Sequence, residues 1–175
     1  FMSNITGRTT ATLENVVFLD NSARVFGSAA FFAGGIDVVM RPRPGSAPCA
    51  FIGVGLGACS GVIGNIIWQS AFAPGGALEL RSSAGIAPTM TIRDSALLDN
   101  RSLNLLTSFG AGRFDIEGSV LSGNALYATQ FVEYPAALIR VDPDLFGPSP
   151  PGLVQRILFS TIVNTTFAGS SPPVF

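Results

Sequence analysis

Leu13-Glu-Asn-Val-Val-Phe-Leu-Asp-Asn21, Ile92-Arg-Asp-Ser-Ala-Leu-Leu-Asp-Asn100 and Ile116-Glu-Gly-Ser-Val-Leu-Ser-Gly-Asn124 are three versions of one nine-residue phrase. Each starts on an aliphatic residue, passes a small or polar pair, enters an apolar run and ends on asparagine. Two looser copies keep the apolar centre and lose the final asparagine: Ile63-Gly-Asn-Ile-Ile-Trp-Gln-Ser-Ala71 and Leu158-Phe-Ser-Thr-Ile-Val-Asn-Thr-Thr166. Self-similarity at intervals of a few tens of residues is the signature of a stacked-repeat architecture, in which no single unit can bury its own apolar face.

The five starting points are 50, 29, 24 and 42 residues apart. The two short intervals fit one coil each, and the two long ones fit coils that carry an inserted loop, or in the first case two coils with one degenerate copy. Between the copies lie second apolar segments, such as 29–32, 77–80, 103–106 and 137–141, several of them introduced by Gly or Pro. Segments near five residues, without a helical apolar stripe over a dozen positions, read as strands. The expected fold is therefore all-β, a right-handed parallel β-helix of about five coils. It forms a single domain over 1–175, with loop insertions near 42–60 and 142–152.

Stacking makes specific demands on side chains. Leu13, Ile63, Ile92, Ile116 and Leu158 are expected in one interior column, and Val17, Ile67, Ala96, Val120 and Ile162 in another. Burial of each such aliphatic stabilises by roughly 1.5–3 kcal/mol. Asn21, Asn100 and Asn124 are expected at the turn after the first strand, where asparagine accepts left-handed backbone and its side chain can bond the coil above. These three form a structural turn ladder, not a ligand site.

Composition narrows the function classes. Charged residues make up only 12% of the chain, the net charge is −1, and all ten basic residues are arginine. No basic stripe is available for phosphate contacts, so no nucleic acid partner is expected. The greasy segment 47–68 is interrupted by Pro48, several glycines, Ser60 and Asn65, which argues against a membrane span. Cys49 and Cys59 sit ten positions apart in a Gly/Pro-rich segment, where a local disulfide pinning the loop is the expected state and two free buried thiols the alternative. The chain opens at Phe1-Met2 within an expected strand, as a processed product or a fragment of a larger protein would.

Histidine is absent, so acid–base chemistry would fall to the eleven carboxylates. Glu14, Arg93 and Glu117 share one repeat position, and Arg93 and Glu117 are placed for an ion pair between adjacent coils. Asp20 and Asp99 share another, with Ser70 expected between them, too far apart for a convincing glycosidase pair. Asp142 and Asp144 could begin a calcium site, but the rest of an oxygen ligand set does not follow. Asn4, Asn100 and Asn164 open glycosylation-type triplets. No catalytic, metal or cofactor residue is assigned.

The segments 93–100 and 159–166 resemble the β-helical repeats of bacterial surface and secreted proteins. These include the polymorphic outer-membrane-protein type and the choice-of-anchor type, within the broader pectin-lyase-like superfamily. In those repeats a coil reads "leucine, x, asparagine, serine, apolar run, x, glycine, asparagine". This chain departs from that wording in the insert 42–60 and in the two copies that lack asparagine. The resemblance implies an extracellular or cell-surface, non-catalytic structural or adhesive segment that meets a cell-surface ligand, and low charge with strand edges that carry no charged or helical cap adds self-association through its ends or faces. The enzymes of the superfamily use lysine or arginine bases with calcium-binding aspartates, or aspartates with histidine. Lysine and histidine are missing here, and the aspartates are scattered. The alternative is a carbohydrate-binding or polysaccharide-degrading protein using aromatics such as Phe51, Trp68, Phe72, Tyr127, Phe131 and Tyr134.

Overall fold

The structure is a computed structural model that describes residues 2–23, 28–46, 60–67, 76–82, 86–110, 112–127, 136–142 and 155–168. Among them there are strands and turns and no helix. Every strand pairing is parallel, and the strands form three sheets, giving a solenoid-like, all-β stack. Parallel pairing follows because each copy of the phrase lies over the previous one in the same chain direction.

Five tiers can be followed. The second sheet shows them most simply, in the order Val17–Leu19, Gly61–Ile63, Ala96–Leu98, Val120–Ser122 and Thr161–Val163. The third sheet repeats that order with Ser22–Ala23, Ile66–Ile67, Arg101–Ser102, Ala125–Tyr127 and Thr166–Ala168. The first sheet holds eight strands, because the long strands Met2–Glu14 and Ala30–Arg41 serve both halves of it while later tiers split into two. The first half of Ala30–Arg41 pairs with Gly76–Arg81 and the second half with Thr89–Arg93.

The register defines the interior. In the first sheet the column runs Leu13, Met40, Ile92, Ile116 and Ile157. In the second it runs Phe18, Val62, Leu97, Leu121 and Ile162. Met40, Ile92, Val62, Leu97 and Leu121 are buried in one apolar cluster with Leu78, Leu80, Leu106 and Phe114.

These columns correct the sequence expectation at several places. Ile63 is not in the Leu13 column: it lies in the second sheet between Leu19 and Leu98. Met40 takes the expected place. The second tier is a complete copy split after Arg41 and resumed at Ser60, which an ungapped reading of the sequence could not join. Leu158 is one position out of register, since Ile157 stacks on Ile116 while Leu158 stacks on Glu117.

The expected second column also fails. Val17, Ala96 and Val120 are in register, but they flank the inward residues Phe18, Leu97 and Leu121. Ile67 belongs to the third sheet, and Ile162 stacks on Leu121. The physical reason is the corner between the sheets. A left-handed residue there (Asn15, Asp94, Gly118 or Phe159) resets the strand alternation, so inward positions fall at 13 and 18, not 13 and 17.

Candidate functional site

Each tier turns two corners, and each corner needs one residue at positive φ. The first uses Asn15, Asp94, Gly118 and Phe159, at φ between 46° and 57°. In the second tier this place falls between Arg41 and Ser60. The second corner uses Asp20, Gly64, Asp99, Gly123 and Asn164, at φ between 50° and 66°. Asparagine, aspartate and glycine tolerate this region best, which explains the composition of both corners. The expectation for Asn21, Asn100 and Asn124 is corrected here: the left-handed residue is the one before each.

With that strain taken by its neighbour, the asparagine side chain turns inward. The backbone N–H and Nδ2 of Asn21 both donate to Asn65 Oδ1, at 3.1 and 2.9 Å. Asn65 donates in the same way to Asn100, at 3.1 Å twice, and Asn100 to Asn124, at 3.1 and 2.9 Å. The amides also donate to strand carbonyls: Asn100 to Val62 at 2.8 Å and Asn124 to Leu97 at 2.9 Å. Asn65, Asn100 and Asn124 are fully buried. Asn65 is a ladder member that the sequence reading missed, because its tier was framed from Ile63. Burial also places the Asn100 glycosylation-type triplet inside the fold.

A serine ladder runs along the first corner, and the sequence reading did not single it out. The N–H of Ser95 donates to Ser119 Oγ at 3.2 Å, and that of Ser119 to Ser160 Oγ at 3.1 Å. Each hydroxyl donates to the carbonyl two residues earlier: Ser95 to Arg93 at 2.6 Å, Ser119 to Glu117 at 2.9 Å and Ser160 to Leu158 at 2.9 Å. Ser60 makes the same bond to Arg41 at 2.7 Å, although 19 positions separate them. Ser60 Oγ also accepts from the N–H of Val16 at 3.4 Å, so the second tier joins the ladder.

Outward-facing charges on the first sheet are paired. Arg41 meets Glu14 at 3.0 Å, Arg93 meets Glu117 at 3.1 Å, and Asp115 meets both Arg113 at 2.8 Å and Arg156 at 3.3 Å. Arg8 meets Asp37 at 2.5 Å, and that hydrogen bond together with the Asp37 charge raises the arginine pKa above its ordinary value. These pairs are substantially exposed, so each contributes on the order of 0–1 kcal/mol. Asp20 and Asp99 do not converge, since Gly64, and not Ser70, stands in the tier between them.

Arg93, Asp94, Glu117, Gly118 and Phe159 line an open groove of about 440 Å³ at the first corner. Phe159 is 91% exposed at φ 48°, an unfavourable combination for an aromatic residue. Asp94 and Gly118 are aligned so that a Cβ on Gly118 would lie 2.5 Å from Asp94 Oδ1; glycine leaves room for that carboxylate.

Cys49, Cys59, Asp144 and the aromatics Phe51, Trp68, Phe72, Phe131 and Tyr134 lie outside the described residues, and so do the side chains of Tyr127 and Asp142. Among the described residues no cluster of three or more His, Cys, Asp or Glu is placed to hold a metal ion. No helix there is long and apolar enough to cross a membrane. No family model, curated protein or solved structure matches this chain.

Proposed function

We propose that this chain is a right-handed parallel β-helix of about five coils, acting as a non-catalytic structural or adhesive rod outside the cell. It associates with further copies of itself by continuing the stack. The observation that carries this reading is the contrast within one column. Val62, Leu97 and Leu121 are completely buried, while Ile162, in register above Leu121, is 46% exposed. Ile157 and Val163 of the same tier are exposed as well.

A further tier of the same repeat, contributed by a second copy, would complement that surface, because it would repeat the spacing of inward aliphatics and backbone partners that the inner tiers already satisfy. Parallel strands with no neighbour among the described residues and with exposed aliphatics invite such addition. The non-catalytic part of the reading is supported by the ion pairing of Glu14, Asp37, Asp115 and Glu117 and by the separation of Asp20 from Asp99. The extracellular setting follows the resemblance of the repeats and the low content of charged residues.

Sedimentation velocity over a hundredfold range of concentration tests the association. Wild type is expected to grow into larger species with concentration, and Ile162→Asp to remain monomeric with an unchanged β-sheet circular dichroism spectrum. A wild-type chain that stays a monodisperse monomer throughout overturns the assembly reading. Turnover of a polysaccharide, abolished by Asp20→Asn or Asp99→Asn, overturns the non-catalytic one.

A further inference from the structure

We infer that the outer face of the second sheet is a lateral interface, at which two copies of this chain pack side by side. The alternation that turns Val62, Leu97 and Leu121 inward turns the strand residues on either side of them outward. Those outward positions are Gly61 and Ile63 in tier two, Ala96 and Leu98 in tier three, and Val120 and Ser122 in tier four. None is charged, and the same holds in tiers one and five. The outer face of the first sheet is the reverse, since it carries the ion pairs of Glu14 with Arg41, Arg93 with Glu117, and Asp115 with Arg113 and Arg156. A sheet face that meets water alternates apolar inward with polar outward, whereas near-continuous apolar strands belong to sheets covered on both faces. Gly61–Ile63 and Ala96–Leu98 are strands of the second kind, and they lie inside the stack with a tier on either side. Ile63 and Leu98 are nevertheless only half-buried.

Period, shape and charge select a second copy as what covers this face. Its side chains recur at the strand spacing of about 4.8 Å, and apolar rows with that period interdigitate with a surface of the same period, as paired sheets of stacked strands do. The face is also stepped. Small Gly61 and Ala96 lie toward the first corner, and large Ile63 and Leu98 lie toward the second. A two-fold axis parallel to the stack lays the large row of each copy over the small row of the other, tier against tier, with the sheets about 10 Å apart. Two identical faces without charge do not repel each other. Area sets the strength of the contact. Five strands of three residues present roughly 240 Å² per copy, against about 800 Å² per partner in a stable complex. Two isolated copies therefore pair weakly, with a dissociation constant of about 1 mM. Where copies stand end to end, which rests on the assembly reading, the face continues from copy to copy and each adds its contact, so whole stacks pair firmly.

The test separates pairing from stacking. Ile162→Asp holds copies apart at the end of the stack, and sedimentation equilibrium of that variant is carried beyond the velocity series, to about 1 mM. A monomer–dimer equilibrium is expected there. Adding Leu98→Arg should weaken the dimer by about tenfold or more. Adding Thr91→Arg, which places the same charge on the outer face of the first sheet, should leave it unchanged. Circular dichroism spectra that match across the three proteins show that the fold is intact. Electron microscopy of wild type is expected to show stacks two copies wide, and of Leu98→Arg stacks one copy wide. If wild type forms no stacks, the assembly reading fails, and the equilibrium data alone decide the lateral contact. No dimer in Ile162→Asp at about 1 mM, equal dimerisation with Leu98→Arg and Thr91→Arg, or wild-type stacks one copy wide overturns the inference.

Discussion

Replacing Asn100 by alanine tests the ladder where it is most enclosed. Asn100 is fully buried and its side chain makes four hydrogen bonds: Oδ1 accepts from the N–H and Nδ2 of Asn65, and Nδ2 donates to Val62 O and Asn124 Oδ1. Alanine leaves the Asn65 N–H without this acceptor in a buried position, at a cost of about 1–3 kcal/mol. Loss of the other three bonds adds about 0.5–1.5 kcal/mol each, partly offset because Asn65 Nδ2 keeps its bonds to Phe18 O and Ile63 O and Asn124 Oδ1 keeps the Asn100 N–H. The expected loss is about 3–5 kcal/mol, a large fraction of the stability of a domain this size.

Asn21→Ala is the control. Asn21 is exposed, and its side chain contributes one described bond, from Nδ2 to Asn65 Oδ1, which still accepts the Asn21 N–H. It should cost about 1 kcal/mol or less. Both are measured by urea denaturation followed by circular dichroism. Stacked repeats can unfold tier by tier, so coincidence of a second probe, such as intrinsic fluorescence, is required before free energies are compared. Equal costs for the two variants, or a loss below about 1 kcal/mol for Asn100→Ala, would refute the reasoning.

Two further outcomes follow from the corners and the core. At the second corner acids and glycines alternate through Asp20, Gly64, Asp99 and Gly123, which keeps carboxylates out of adjacent tiers. Gly123→Asp should therefore be less stable than Gly123→Asn at pH 7, since its charge would lie about 5 Å from the Asp99 tier. Protonation of a carboxyl removes the repulsion, so the difference is present at neutral pH and fades in acid; a pH-independent gap in thermal melts would count against this account. In the interior, Leu97→Ala should cost about 2–5 kcal/mol, while Ile162→Ala, in the same column and 46% exposed, should cost about 1 kcal/mol or less in the monomer. Denaturation midpoints that move equally would contradict the register.

The sequence alone determined that the chain is a β stack of parallel repeats. The phrase at 13–21, 92–100 and 116–124 carries both the aliphatic that must be covered and the asparagine that can bridge tiers, and it recurs without any helical period. It also placed Arg93 beside Glu117, because those residues share one position in consecutive copies. Only the tertiary structure decided how the remaining copies join. The second tier joins Arg41 to Ser60, which are hydrogen-bonded although 19 positions apart in sequence. The structure also decided which residues face inward past each corner. A positive-φ residue resets the alternation, and that is a property of backbone geometry which an apolar pattern with period two does not contain. Asn65, the serine ladder and the exposed ring of Phe159 became visible only once the tiers were laid on one another, because each is defined by its neighbours above and below and not by its neighbours along the chain.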